Sequence, residues 1–149
     1  MWYGGYAQPR RLSEYWRIAI TQNRFNVSNV NTNCPKGKNM TIFAKIINRE
    51  IPADIVYEDE HCLAFRDVSP QAPMHVLLIP KHPIAKLADA NQEHKEILGH
   101  MMVKASEVAK QQGFEDFRVV INNGAEVGQT VFHLHLHLLA GRSFQWPPG

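Results

Sequence analysis

Seven residues near the C-terminus restrict what this chain can fold into more than any other stretch: His133, Leu134, His135, Leu136, His137, Leu138 and Leu139. Strict alternation of two residue types marks a β-strand with one face in a core. Successive side chains on a strand point to opposite faces. The spacing predicts a strand over 133–139. Leu134, Leu136 and Leu138 would enter a core, and His133, His135 and His137 would line the other face, left for chemistry. The chain has eight histidines. Three on five consecutive positions is a density that packing does not explain.

The 149 residues suffice for one domain with a real core. No apolar run approaches the ~18–20 residues of a membrane span, so no membrane partner is expected. Cys34 and Cys62 belong to no C-x-x-C pair and read as reduced thiols of an intracellular protein. The formal net charge of +2 is unevenly spread: residues 1–39 hold six Lys or Arg and one acid, a net of +5, which leaves −3 for 40–149. The basicity lies outside the domain, so no nucleic-acid partner is expected.

Residues 1–39 have no sustained period. Pro9, the Asn cluster from Asn23 to Asn33, Pro35 and Gly37 read as loop or disorder, with at best a short helix over Leu12–Ile20. This N-terminal extension is either unstructured, or sequence upstream of a start at Met40, or a transit peptide, since it is Arg-bearing and poor in acids. The expected location is cytoplasmic, or a mitochondrion or plastid in the transit case. The glycosylation patterns at Asn26 and Asn39 come without a secretory signal and read as chance.

The domain is expected over 40–149. Thr41 can cap a helix of about nine residues bearing Ile42, Phe43, Ile46 and Ile47 at helical spacing and ending before Pro52. Ile55–Glu58 and Cys62–Arg66 read as strands joined by an acidic turn. After a loop with Pro70 and Pro73 comes a strand over His75–Ile79. The longest helix is expected over Asp89–Gln112, with a capping box of Asp89 and Gln92, an apolar stripe from Ile97 to Ala109, and Gly113 as its stop. His94 and His100 on that helix are given no role. Phe117–Asn122 is a strand, with Val119 and Ile121 on one face. A glycine-bearing loop from Asn122 to Gly128 leads to the histidine strand. Strands in runs with two helices argue for an α+β fold with an antiparallel sheet.

Residues two apart on a strand are about 6.6–6.8 Å apart, so His133 and His137 would be separated by about 13 Å. With Zn–N bonds of about 2.0–2.1 Å, three such imidazoles do not easily share one ion. Two of them could, with His75 or Asp67 completing the set. The histidines could also be structural. The reading that uses all three is covalent catalysis. Imidazole is a nucleophile near neutral pH, and the middle histidine has neighbours on both sides to bind substrate and carry protons. Asn122, the Gly128 loop and Thr130 could supply donors to a phosphoryl group.

The run His-φ-His-φ-His-φ-φ resembles the signature of the histidine triad (HIT) superfamily of nucleotide hydrolases and transferases. Further stretches resemble its Hint branch, the histidine triad nucleotide-binding proteins. These are Thr41-Ile42-Phe43, Glu50-Ile51-Pro52, Phe65 to Pro73, His75 to Lys81, Leu98-Gly99-His100, Gly128-Gln129-Thr130-Val131, Gly141-Arg142 and Trp146-Pro147-Pro148-Gly149. The resemblance covers about 41–149. It implies a five-stranded antiparallel sheet with two helices, and a homodimer in which two such sheets join. It implies binding of purine nucleoside monophosphates and hydrolysis of their amine conjugates, the phosphoramidates, with no metal or other cofactor. The alternative is a nucleotide-binding interaction protein in which hydrolysis is incidental; a zinc-dependent hydrolase is a third reading. By the resemblance, His135 is the nucleophile, His133 and His137 flank it, and His75 is a fourth active-site histidine on a neighbouring strand. Asn122, Gln129 and Thr130 match contacts to phosphate or leaving group, and Asp67 the carboxylate that holds the ribose hydroxyls. Ile42, Phe43, Ile46, Phe65 and Val68 match the base pocket, and Trp146 lies near the partner subunit's site. Arg66, Ala44 and Pro83 depart from the pattern, standing where histidine, glycine and a Lys-Lys-His run are frequent.

Overall fold

Runs of apolar and alternating residues produce five strands in the computed structural model, which describes residues 40–148. They are Ile55–Glu58 (β1), Cys62–Arg66 (β2), Met74–Pro80 (β3), Arg118–Val120 (β4) and Leu136–Ala140 (β5). The expectations for residues 1–39, Cys34 among them, lie outside the described residues. The strands form one sheet in the order β1-β2-β3-β5-β4, with every neighbouring pair antiparallel. Two α-helices accompany it, Ile42–Ile47 (α1) and Lys95–Gln111 (α2). The α+β architecture expected from the strand runs is the observed one. No helix among the described residues is long and apolar enough to cross a membrane.

The sheet is covered on both faces. On one, Met101, Ala105, Val108 and Ala109 of α2 pack on Ala64, Met74, Val76, Leu78, Leu136, Leu138 and Ala140. Cys62 belongs to the same core, and burial pushes its thiol up to about 12, so it behaves as a small hydrophobe. The other face carries Leu63, Phe65, His75, Leu77, Ile79 and His137, and is roofed by buried Phe43 and Ile46 of α1. β3, between the two layers, is buried at all seven positions.

Helix α1 is shorter than expected. Thr41 is its cap, accepting from the Ala44 amide at 3.1 Å, but the helix ends after six residues. Arg49 then turns the chain with a positive φ of 63°. The long helix also starts later than Asp89. Two 3-10 turns, Leu87–Asp89 and Gln92–His94, precede it, and the capping box pairs Asn91 with His94 rather than Asp89 with Gln92. Asn91 accepts from Glu93 N while His94 Nδ1 accepts from Asn91 N, a reciprocity that glutamine spacing alone did not reveal. Gly113 stops the helix as expected, at φ 88°.

The largest departure concerns the histidine strand, which begins at Leu136 rather than His133. Leu78 pairs with Leu136, so the next rung would set Pro80 against Leu134. Proline has no N–H for that rung. Instead Leu134 N donates to Ile84 O at 2.6 Å, and the chain bends into the strand. At its other end Gly141 has φ 90°, and a Cβ there would lie 2.7 Å from Pro73 Cβ. Only glycine fits this approach.

Candidate active site

The four histidines 75, 133, 135 and 137 converge under α1. His75 sits on β3 opposite Leu139 and His137 on β5 opposite Leu77, so they are diagonal neighbours on one face. His133 and His135 come from the bent segment before β5. Phe43 is edge-on to both, with centroids 6.1 and 5.1 Å away, and edge-on to Phe65 at 5.6 Å. His135 and His137 are 5.0 Å apart by centroid. His75, His133 and His135 are buried and His137 is half-buried. The leucines Leu134, Leu136 and Leu138 are buried as the alternation required. The histidine face is only partly covered, with Phe43 of α1 lying over His133 and His135.

Their hydrogen bonds fix every tautomer. An imidazole nitrogen facing a carbonyl must carry a proton, and one facing an N–H must not. His135 Nδ1 is 2.7 Å from His133 O, so Nδ1 donates and Nε2 holds a lone pair. His133 Nε2 donates to Pro80 O at 2.8 Å, and its Nδ1 faces the Thr41 hydroxyl at 3.4 Å. The Gln71 amide donates to His75 Nδ1 at 3.1 Å, which leaves the His75 proton on Nε2. That proton points at His137 Nδ1, 2.9 Å away, so His137 carries its own proton on Nε2. No buried side-chain nitrogen or oxygen among the described residues lacks a partner. The unpartnered Nε2 of His135 and Nε2–H of His137 are therefore the two atoms that reach solvent: one lone pair and one donor, side by side.

Burial favours the neutral form of all four rings. Burial is the first cause in each, and it lowers His75, His133 and His135 below the usual imidazole range. His137 falls to about 4, through burial and then its neighbours His135 and His75, against the opposing pull of Asp67. Asp67 accepts from Ser69 N through Oδ1, and its Oδ2 lies 3.5 Å from His75 Nε2.

The remaining expected site residues are placed unevenly. Phe43, Ile46 and Phe65 are buried, Phe43 against His133 and His135, and Ile42 is half-buried. Val68 and Thr130 are exposed, and Asn122 lies next to Gly128, its Nδ2 3.8 Å from where a Cβ would sit. The Gln129 side chain is 1% exposed: its oxygen accepts from Gly124 N, and its Nε2 donates to Ala85 O and Val131 O. It braces the loop. Trp146 is 85% exposed and packs on none of these groups. Sequence reasoning missed three contributors to the tautomer network. Pro80 O and Gln71 N are backbone groups, which no residue type announces. Thr41 was read as a helix cap and as part of the family-like stretch Thr41-Ile42-Phe43, and nothing in the sequence links it to His133.

Comparison with known proteins gives this arrangement a family. The sequence model of the HIT domain matches residues 48–144. The chain belongs to the HIT family. It is 68% identical over 110 residues to an uncharacterized HIT-like protein of Synechocystis, covering 73% of this chain and 96% of that one. It is 56% identical over 112 residues to a 14 kDa zinc-binding protein of Zea mays, covering 73% and 88%. Among solved structures it resembles a HIT family hydrolase from Legionella pneumophila, with a TM-score of 0.71 and 46% identity over 72% of this chain and 98% of that one. The fold and the histidine cluster of this HIT protein therefore lie within the region shared with its relatives.

Proposed function

We propose that this HIT protein hydrolyses purine nucleoside phosphoramidates through a nucleotidyl-histidine intermediate on His135. The observation that carries the reading is the free lone pair on His135 Nε2, oriented by the Nδ1 bond to His133 O. In the first step Nε2 attacks the α-phosphorus, the P–N bond breaks, and the amine leaves with a proton. His137 Nε2–H is the adjacent donor. A bound phosphate offsets the burial that keeps His137 neutral, which makes its charged form accessible when the leaving nitrogen needs a proton. In the second step water attacks phosphorus and gives a proton to the vacated Nε2 of His137. The His135–P bond breaks with its electron pair returning to His135 Nε2, and the nucleoside monophosphate is released. Asn122, Gly128, Gln129 and Thr130 belong to the loop that would flank the phosphate. Asp67 is the carboxylate for the ribose hydroxyls, and Ile42, Phe43, Ile46, Phe65 and Val68 form the base side. Phosphoramidase activity is tested with a fluorogenic adenosine phosphoramidate: His135→Asn should lose turnover and form no covalent adduct. Turnover near that of the unaltered protein would sink the assignment.

The same reading includes a homodimer. β4 ends the sheet with an unpaired outer edge, and Met102 and Val103 of α2 are 51% and 59% exposed. Joining two copies along β4 would cover both features and leave Trp146 for the partner's site. Val103→Glu should convert a dimer to a monomer in sedimentation; a wild-type monomer would refute the dimer.

One observation favours a second reading. Asp67, His75 and His137 offer ligand atoms within 4.8 Å of one another. Zinc there would replace the proton between His75 and His137 and take Nδ1 of His137. Activity lost to a chelator and restored by zinc would favour a zinc hydrolase. Activity unchanged by chelation favours the covalent route.

A further inference from the structure

The four histidines outside the catalytic group also meet. His61 in the β1–β2 turn, His82 after β3, His94 in a 3-10 turn and His100 on α2 line one open depression of about 510 Å³, with Glu93 and Glu96. Three separate chain segments bring them there. The His61 and His100 rings are 5.1 Å apart by centroid. Two imidazoles on one tetrahedral ion, with metal–nitrogen bonds of about 2.0–2.1 Å, have centroids about 5.2 Å apart.

The protons are arranged to match. His100 Nε2 donates to Asp59 Oδ2 at 2.7 Å, and His61 Nε2 lies 2.8 Å from Glu60 Oε1. Each carboxylate holds a proton on Nε2 and leaves the lone pair on Nδ1. An outer carboxylate on the far nitrogen is the usual companion of a metal-ligating imidazole. Asp59 itself is fully engaged, since its other oxygen accepts from the His61 and Cys62 amides, and Tyr57 shares the first. It acts as a positioning group. Cys62 is fully buried in the core. His94 is not assigned as a ligand, because its Nδ1 accepts from Asn91 N and the helix cap fixes its ring. His82 is exposed, stands 5.3 Å from His94 by centroid, and has no hydrogen bond among the described residues. It lines the same depression as His61 and His100.

We propose that this depression is a binding site for a borderline divalent transition metal, with His61 and His100 coordinating through Nδ1 and His82 as a third ligand. Imidazole donors favour zinc-like ions over magnesium or calcium, and the surrounding carboxylates favour a cation over an anion. The ion would tie the β1–β2 turn to the start of α2.

The test titrates zinc(II) into the metal-free full chain by equilibrium dialysis, with thermal unfolding as a second readout. Removing His100 also removes a support of Asp59, so the informative variant is His61→Asn with His82→Asn, both exposed. His137→Asn controls for the catalytic cluster. Expected are zinc binding and a rise in Tm that persist in His137→Asn and weaken at least tenfold in the double variant. The double variant should hydrolyse phosphoramidate at the unaltered rate without metal. Unchanged zinc affinity in the double variant, complete loss in His137→Asn, or no binding by the unaltered chain would each overturn the site.

Discussion

The two faces of the sheet share strands β3 and β5, yet they are held together differently. Beneath α2, Leu136 and Leu138 meet Val76, Met101, Ala105 and Val108, and any well-shaped apolar volume would serve. Beneath α1, His75, His133, His135 and His137 each require a particular partner on a particular nitrogen. Burial on the first face stabilises by area. On the second it carries a cost unless every N–H and lone pair is matched. The difference separates stability from chemistry within one sheet, and substitutions on the two faces should therefore fail in different ways.

The largest effect belongs to the histidine face. His135→Asn should reduce phosphoramidate turnover by at least about 10³-fold while the unfolding midpoint moves little. On the opposite face, Leu138→Ala should cost about 2–5 kcal/mol in denaturant unfolding, because the leucine is fully buried and leaves a cavity. Its remaining folded fraction should keep a kcat within a few-fold of the unaltered protein. A Leu138→Ala protein that is stable but inactive would break the division of labour between the faces.

How far the sequence reveals these faces follows from the same difference. The apolar face was legible where residue types alternate at period two: Leu134, Leu136 and Leu138, expected in a core, are all buried. β1 and β2 were legible to the residue, since their apolar runs are bounded by the Glu58-Asp59-Glu60 turn. The start of β5 was not, because Pro80 on another strand decides it through a missing N–H. The candidate nucleophile could be picked from the centre of the run and from the family resemblance. Its tautomer could not, since the deciding groups are the His133 and Pro80 carbonyls and the Gln71 amide. His94 and His100 carried no legible role, because the cap on Asn91 and the bond to Asp59 depend on how two loops meet α2.

The pH dependence of stability sharpens the comparison at a smaller scale. In the unfolded chain these imidazoles take up protons near pH 6.5, whereas burial delays His137 to about 4 in the folded state. The unfolded state then binds more protons across that interval, so stability is complete above about pH 6.5 and declines as pH falls toward 4. His75, His133 and His135 are shifted in the same direction and add to the slope. His137→Asn should remove part of it, on the order of 1–2 kcal/mol at pH 4 relative to pH 7 once partial solvent access is discounted. Leu138→Ala should lower the whole curve and leave its slope. Parallel curves for the unaltered protein and His137→Asn would show that this ring is not kept neutral by folding.

The smallest expected effect tests where the two kinds of holding meet. The Thr41 hydroxyl accepts from Ala44 N as the cap of α1 and points its proton toward His133 Nδ1 at 3.4 Å. Thr41→Val keeps the shape and removes both bonds, and should cost about 1 kcal/mol, the usual value of a cap. At 3.4 Å the bond to His133 is weak, so the loss should come almost wholly from the helix. Thr41→Ser restores the hydroxyl and should recover most of the stability. Turnover separates the two contributions. If α1 serves only as a roof, Thr41→Val changes kcat in proportion to the folded fraction. If the hydroxyl also fixes His133, the His133 carbonyl shifts, the His135 Nδ1 bond loosens, and kcat falls further than unfolding explains while Thr41→Ser retains it.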